Sequence, residues 1–330
     1  MKKALCIGIN HYDHAPDLKG CIKDASGMAE VLKTDFDDSP NFEVETYTSD
    51  QQKIDRDFLS STIRKFFEGF EAKDDVALFF FAGHGHKNNM SGYLAAQDGT
   101  EENPGFDMSY LISLTANCRA KEILLIFDCC HSGYGGTPHD ILSQANMAQL
   151  RAGTTILTAS LPTEYAWEGK NGHGMFSETL INGLKGGAAD LTGSITGLSL
   201  YNYAKRYMGD VKQKPMFKAN ISDLYTIRRA LPAIEPEVLA TLTTYFKHEG
   251  DSYQLDPEHE PDIANATEVS GYKPDPKKTA IFAHLQVLRG VNMLKPDKEE
   301  HMYYAALRED KCSLTELGKV YWNMVNRKMI

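Results

Sequence analysis

Short apolar runs alternate with helix-like segments over the first 230 residues of the chain. The apolar runs predict strands buried on both faces, at residues 4–9, 76–81, 123–127 and 154–159. Residues 42–47 alternate between apolar and polar positions and predict a strand nearer the sheet edge. Apolar residues that recur every three or four positions predict helices, at residues 21–33, 54–70, 109–116, 172–184 and 198–208. With a final strand near residues 223–227, this alternation predicts an α/β fold, a mostly parallel six-stranded sheet flanked by helices.

The pattern changes at residues 231–236, where two prolines interrupt the chain. We therefore divide the chain into a first domain, residues 1–230, and a second domain, residues 231–330. In the second domain, helices are predicted at residues 279–288 and 314–325, with a short strand at residues 302–307. A helix, a short strand or wing, and a helix resemble a winged-helix module. The sequence thus predicts a smaller, mainly helical, winged-helix-like C-terminal domain with a regulatory or recruitment role.

Composition and charge disfavour several classes of protein. The 330 residues are 42% hydrophobic, which is enough for one sizeable core and a smaller second domain. The formal net charge of −10 disfavours nucleic acid as a partner, because phosphate binding needs a basic face. No apolar run reaches the roughly 18 residues of a membrane span. The six cysteines lack the regular spacing of a disulfide framework, which indicates a reducing compartment. We expect a cytoplasmic protein with no membrane partner.

Two of the predicted strands end in polar turns that carry reactive side chains. Residues 82–86 read Ala-Gly-His-Gly-His, and residues 128–133 read Asp-Cys-Cys-His-Ser-Gly. Because the carboxyl ends of parallel strands meet at one edge of a sheet, His84 and Cys130 are expected to lie close together. A thiol with a pKa near 8.5 is mostly protonated at neutral pH, so a neighbouring imidazole increases its reactivity. The pair therefore predicts nucleophilic catalysis by a cysteine.

These two motifs resemble the His and Cys motifs of the caspase-like cysteine peptidase superfamily, specifically its metacaspase and bacterial orthocaspase-like branch. Three further segments match in the same order, so that the resemblance covers residues 1–228; these are residues 18–25, 158–168 and 172–176. The resemblance implies that Cys130 is the nucleophile and His84 its proton-transfer partner. It also implies that the backbone amides of Gly85 and Cys130 stabilise the oxyanion. Cys129 is then the neighbour of the nucleophile.

The same resemblance implies an acidic substrate pocket. Caspases bind a substrate aspartate with two arginines and a glutamine, but Asp128 stands here at the glutamine position. The Trp-Arg pair of the caspase substrate-binding strand is similar to Trp167-Glu168, so that a glutamate replaces an arginine. Asp24 lies near this pocket in the family fold. An anionic pocket favours Arg or Lys before the cleaved bond and repels aspartate, while the segment around Trp167 would pair with the substrate main chain.

Less specific interpretations of the same residues stay open. Cys130 could be an inert buried thiol, and His84 a structural turn residue. Together with Cys129 and His86 they could form a metal site, and the two adjacent cysteines could form a redox pair. Asp24 and Asp128 could cap helices or turns, and Glu168 could be surface charge. The remaining histidines near the motifs are interpreted as structural or solvent-facing, namely His86, His131 and His173.

The leading hypothesis is a cysteine endopeptidase that cleaves proteins after Arg or Lys. The resemblance implies a role in cell death or defence and a protein substrate, with a pore-forming effector suggested by analogy. The alternatives are a catalytically silent caspase-like scaffold that recruits partners through the C-terminal domain, and a DNA-binding role for that domain. The residues imply no cofactor and no metal; many metacaspases need calcium, but no acidic cluster here has calcium-loop spacing. Self-cleavage is expected after Arg151.

Overall fold

The computed structural model describes residues 1–71, 75–87, 91–130, 150–159, 172–209, 215–263 and 271–330, without the side chains of Lys87 and Cys130. Within these ranges the chain forms two units, Met1–Leu231 and Pro232–Ile330, which are described separately here. None of the helices in these ranges is long and apolar enough to cross a membrane.

The first unit contains alternating strands and helices. In chain order its elements are β1 (Lys2–Gly8), α1 (Cys21–Lys33), β2 (Glu43–Thr48), α2 (Arg56–Glu68), β3 (Val76–Lys87), β4 (Gly92–Ala95), β5 (Gly105–Asp107), α3 (Met108–Asn117), β6 (Glu122–Cys130), β7 (Thr154–Thr158), α4 (Met175–Asn182) with a π-helical extension (Gly183–Gly187), β8 (Ser194–Ile195), α5 (Gly197–Met208), β9 (Met216–Asn220) and β10 (Arg228–Arg229).

The main sheet has the strand order β2-β1-β3-β6-β7-β9. The first five of these strands are parallel, and β9 runs antiparallel to β7. This confirms the predicted mostly parallel six-stranded sheet. The predicted last strand at residues 223–227 was wrong, because the strand that pairs with β7 is Met216–Asn220. The small β4–β5 hairpin, which pairs with the end of β3, was missed because its strands have only four and three residues, too few to show a periodic pattern.

The middle segments of β1, β3 and β6 are apolar because helices cover both faces of the sheet. Phe79 and Phe81 point into a core that includes residues of α2 and α3, while Phe80 points into the opposite core with residues of α1 and α4. All three phenylalanine side chains are fully buried. Side chains alternate between the faces of a strand, so a strand buried on both faces must be continuously apolar. This explains why the apolar runs located these strands.

The second unit contains short helices and a small sheet. Its elements are α6 (Pro236–Ala240), α7 (Leu242–Tyr245), β11 (Ser252–Gln254), a 3-10 turn (Pro257–His259), α8 (Pro276–Gly290), β12 (Leu294–Pro296), α9 (Met302–Leu307), β13 (Lys311–Leu314) and α10 (Glu316–Asn326). The three strands form an antiparallel sheet in the order β11-β13-β12.

The strand predicted at residues 302–307 was wrong, because Met302–Leu307 is a helix. Its buried residues include Met302, Ala305 and Ala306, a spacing of three and four that also fits one face of a helix. A short apolar run does not distinguish a strand from a buried helix, and tertiary packing decided this one. The two helices predicted in this unit are present.

Arg151, the predicted self-cleavage position, is bound at the base of the sheet. Its guanidinium group donates hydrogen bonds to the carbonyl oxygens of Cys118 (2.5 Å), Ala120 and Lys121 (2.9 Å). These carbonyls lie just before β6 begins, whereas Cys130 lies where β6 ends. Cleavage after Arg151 would require these hydrogen bonds to break, so the structure gives the self-cleavage prediction no support.

A close approach between β1 and α1 gives a test of this packing. A methyl group on Gly8 would collide with the carbonyl oxygen of Cys21 and would lie 2.9 Å from the Cβ of Ala25. We expect Gly8→Ala to lower the free energy of unfolding by about 1–3 kcal/mol, measured by urea denaturation. Gly250→Ala is the control, because nothing lies within 4 Å of its added methyl group. Equal stability of the two variants would contradict this account.

Candidate active site

The register of two neighbouring strands places His84 and Cys130 side by side. Strands β3 and β6 pair in parallel from Val76 opposite Glu122, and the last pair of this ladder is His84 opposite Cys130. Both strands continue beyond the apolar runs that predicted them, because the backbone of the polar motifs still pairs across the sheet. The side chain of Cys130 lies outside the described part of the structure, so its position is known through the backbone.

A backbone carbonyl orients the imidazole of His84. The ring is buried, with 1% of the residue exposed, and its Nε2 lies 2.7 Å from the carbonyl oxygen of Pro16. Because a carbonyl oxygen can only accept, Nε2 carries the proton in the neutral ring and Nδ1 is the basic nitrogen. Among the described residues, Nδ1 has no hydrogen-bond partner. This tautomer leaves Nδ1 available to receive a proton.

Tyr12 also contacts His84. The backbone N–H of His84 donates to the Oη of Tyr12 at 2.8 Å, and the two ring centroids lie 4.6 Å apart. The residue before His84 is a glycine, since a Cβ on Gly83 would lie 2.6 Å from this Oη. The contacts of Tyr12 and Pro16 with His84 were not predicted from the sequence. Both residues lie in a polar loop without periodicity, and only the fold brings that loop to the end of β3.

The buried side chain of Asn10 holds this loop closed. Its Nδ2 donates to the carbonyl oxygen of Lys19 at 3.0 Å, and its Oδ1 accepts from the backbone N–H of Ile22 at 3.3 Å. The loop therefore begins and ends at a fixed point beside the start of α1. This constraint fixes where Tyr12 and Pro16 meet His84.

Two buried carboxyl groups converge where α4 begins. Asp24 is in the first turn of α1 and Asp128 is in β6, two residues before Cys130. Asp24 accepts hydrogen bonds from the backbone N–H of Gly174 at 3.1 and 3.2 Å. Asp128 accepts from the Ser177 hydroxyl at 2.5 Å and from its backbone N–H at 3.3 Å. A helix N-terminus favours nearby negative charge, which helps explain how two carboxyl groups are accommodated there.

The distance between the two carboxyl groups is small. A methyl group placed on Gly174 would lie 2.9 Å from Oδ2 of Asp128 and 3.2 Å from Oδ2 of Asp24. Burial and the charge of Asp128 raise the pKa of Asp24 to about 9, and burial raises the pKa of Asp128. Like charges this close and this buried disfavour full ionisation, so the pair retains a proton near neutral pH. A cation bound beside these two carboxyl groups would therefore favour their ionised forms.

The other sequence-predicted residues have different outcomes. Trp167 and Glu168 lie outside the described residues. Gly85 follows His84 in β3 and pairs with Leu94 of β4, and its role in oxyanion binding stays a prediction. His173, interpreted above as structural or solvent-facing, lies 2.9 Å from Oδ1 of Asp24 through its Nδ1, and its interpretation stays a prediction. Ser177 and Gly174 were also missed, because nothing in their spacing relates them to residues 24 and 128.

A model of the caspase domain matches residues 1–225. The chain belongs to the caspase domain family. Metacaspase-1 of Pyricularia oryzae is 26% identical over 184 residues, covering 48% of this chain and 44% of that protein. Metacaspase-1 of Ajellomyces capsulatus is 28% identical over 182 residues, covering 48% of this chain and 49% of that protein. This chain thus spans about half the length of the curated relatives it matches.

A solved structure from Geobacter sulfurreducens resembles this chain with a TM-score of 0.50 and 18% sequence identity. The match covers 70% of this chain and 99% of that one, and it shows the fold alone.

The described residues of this caspase-family chain contain no group of three or more His, Cys, Asp or Glu side chains arranged to hold a metal ion. No step below is therefore assigned to calcium.

The acid pair of the caspase domain should reduce its stability as pH rises. Asp24 has a pKa of about 9 in the folded protein, against 3.8 for a free side chain, so the folded state binds more protons between these values. The free energy of unfolding then falls with increasing pH across this window. We expect Asp24→Asn to raise the melting temperature at pH 8 by about 3 °C, roughly 1 kcal/mol for this size, with little gain at pH 4.

Asp57→Asn provides the control for this measurement, because Asp57 also lies in the first turn of a helix, α2, but is exposed. A gain for Asp24→Asn that does not depend on pH would contradict the explanation by buried charge.

Proposed function

We propose that this chain is a cysteine endopeptidase of the metacaspase and orthocaspase-like type that cleaves proteins after Arg or Lys. One observation carries the proposal: the β3–β6 register puts His84 opposite Cys130, two residues from the buried acid Asp128. Asp128 belongs to the same strand as Cys130, so the backbone positions of all three residues lie close together at this edge of the sheet.

The proposed reaction uses Cys130 as nucleophile and His84 as base and acid. The thiol proton passes to Nδ1 of His84 and the thiolate attacks the peptide carbonyl, while the amides of Gly85 and Cys130 stabilise the oxyanion. The imidazolium then protonates the leaving amine, and water hydrolyses the acyl-enzyme. The carbonyl of Pro16 accepts from Nε2 of His84 throughout, which stabilises the positive charge on the ring.

The preference for Arg or Lys is argued from charge. Asp24 and Asp128 are both buried, and the described hydrogen bonds leave them paired with neutral groups. A guanidinium or ammonium group would displace the retained proton and supply the countercharge of the ionised pair, whereas a substrate aspartate would add further negative charge. Glu168 and Trp167 keep their predicted roles in the pocket and in main-chain pairing.

The biological role is proposed by analogy with the family. A cell-death or defence function, with a pore-forming effector as substrate, follows from the resemblance alone. We retain the winged-helix-like interpretation of the C-terminal unit, as a regulatory or recruitment domain, but it now depends on β12 and β13 rather than on residues 302–307.

The two cysteines of the motif allow a sharp test of the nucleophile. We expect Cys130→Ala and His84→Ala each to lower the cleavage of arginine-containing peptides by about 10³-fold or more. Cys129→Ala is the matched control and should retain cleavage, because the Cys129 side chain packs in the apolar core that includes residues of α2 and α3. Cleavage would be followed by mass spectrometry of a peptide library, with and without calcium.

Two results would count against the enzyme. Loss of cleavage in Cys129→Ala but not in Cys130→Ala would overturn the assignment of the nucleophile. If an arginine-bearing peptide electrophile does not label Cys130 of the wild-type protein, the catalytically silent scaffold would be favoured.

The raised pKa of Asp24 predicts how substrate binding depends on pH. A cation binds the ionised form of the Asp24–Asp128 pair. Because the pKa of Asp24 is raised to about 9, binding below pH 9 requires the pair to release a proton. We expect the dissociation constant of an arginine peptide to fall by up to about tenfold per unit as pH rises from 7 to 9. Binding would be measured with Cys130→Ala, which removes the titration of the nucleophile.

A peptide with citrulline in place of arginine is the matched neutral ligand, and its binding should change little over this range. The same change of dissociation constant with pH for both peptides would contradict the predicted ionisation of the pocket.

A further inference from the structure

His173 connects the deepest carboxyl group of the pocket to solvent. Its Nδ1 lies 2.9 Å from Oδ1 of Asp24. The side chain of Asp24 is 3% exposed, whereas that of His173 is 24% exposed. Among the described residues, the imidazole of His173 contacts this carboxyl group, which also accepts hydrogen bonds from the backbone N–H of Gly174. The adjacent residues His173 and Gly174 thus both contact Asp24 and fix its position.

The ring is fixed by close packing against α1. A Cβ on Gly27 would lie 3.2 Å from Cε1 of His173 and 3.0 Å from Cδ1 of Ile181 in α4. A side chain at position 27 would press on both of these groups, so the imidazole packs closely against α1 beside Ile181 of α4. Its orientation toward Asp24 follows from the packing of α1 and α4 as well as from the hydrogen bond.

Charged groups on three segments surround the ring. Lys23 and Asp24 belong to α1, Glu178 belongs to α4, and Lys185 lies in the π-helical extension. The Nζ of Lys23 lies close by, 3.0 Å from the position of a methyl group on Gly172. Burial, with Lys23 and Lys185, lowers the pKa of His173 against the opposing effect of Glu178. The imidazole is therefore neutral at neutral pH, and its bond to Asp24 is not an ion pair.

A neutral imidazole can serve both protonation states of Asp24. It accepts from the protonated carboxyl through Nδ1, and it donates to the carboxylate through the same nitrogen after a change of tautomer. When a basic side chain arrives, the Asp24 proton moves to Nδ1 and the Nε2 proton leaves to water, so that one proton is released and the ring stays neutral. A protonated ring would instead compete with the substrate for the carboxylate.

We infer that His173 is a positioning residue of the substrate pocket, which holds Asp24 for the basic side chain and makes its binding weaker in acid. The inference rests on the proposed preference for Arg or Lys and adds the residue that regulates the pocket.

The test compares two substitutions at this position. His173→Ala removes the partner of Asp24, and we expect KM for an arginine peptide to rise about tenfold at pH 7.5 with kcat within twofold. His173→Asn places an amide near Nδ1, which can still bond to Asp24 but cannot titrate. It should restore KM at pH 7.5 and remove the extra rise in KM between pH 6.5 and 5.

His248→Ala is the control, since His248 is an exposed histidine of the second unit. The rate at which iodoacetamide alkylates Cys130 reports whether the catalytic site is intact, and it should not change in any variant. If His173→Ala does not fold, the pH profile of His173→Asn decides the question.

The outcomes separate this inference from the proposed function. A KM within twofold of wild type in His173→Ala would overturn the role of His173 but not the proposed function. An unchanged rise in KM between pH 6.5 and 5 in His173→Asn would do the same. A fall in kcat and alkylation with KM unchanged would show a structural role instead. A wild-type protein without Cys130-dependent cleavage after Arg or Lys would overturn the proposed function and this inference with it.

Discussion

The parallel pairing of β3 with β6 is the constraint on which the site depends. It brings together two motifs separated by 46 residues and ends with His84 opposite Cys130. The pairing is rigid because both strands are buried on both faces, so that a slip of one residue would turn fully buried phenylalanines toward the wrong core. The hydrophobic core thus determines the backbone positions of His84 and Cys130, the proposed catalytic pair.

A second constraint is the burial of like charges. Asp24 and Asp128 come from α1 and β6, and both contact the start of α4. Backbone N–H groups and a serine hydroxyl donate to them, but neutral donors do not offset the cost of ionising two buried carboxyl groups, so the pair retains a proton near neutral pH. The folded state is therefore less stable than it would be with neutral residues, and the arrangement is explained by what it can bind. Sites that bind charge often carry such a cost in stability.

The loop between β1 and α1 links these two constraints. It contributes Tyr12 and Pro16 to the imidazole of His84, and it leads directly into the helix that carries Asp24. Asn10 closes the loop at its base. One segment therefore orients the imidazole of His84 and leads into the helix that carries Asp24. A displacement of this loop would disturb both the proposed base and the proposed pocket.

Sequence periodicity by itself determined most of the first unit. Apolar runs located β1, β3 and β6, because burial on both faces favours apolar residues at consecutive positions. The polar motifs where β3 and β6 end contain His84, Asp128 and Cys130, whereas Asp24 came from the family resemblance. Only the tertiary structure decided that Met302–Leu307 is a helix, since a short apolar run fits either element. It also decided the partners of the site, Pro16, Tyr12 and His173, because hydrogen bonds between distant polar residues leave no periodic signal in a sequence.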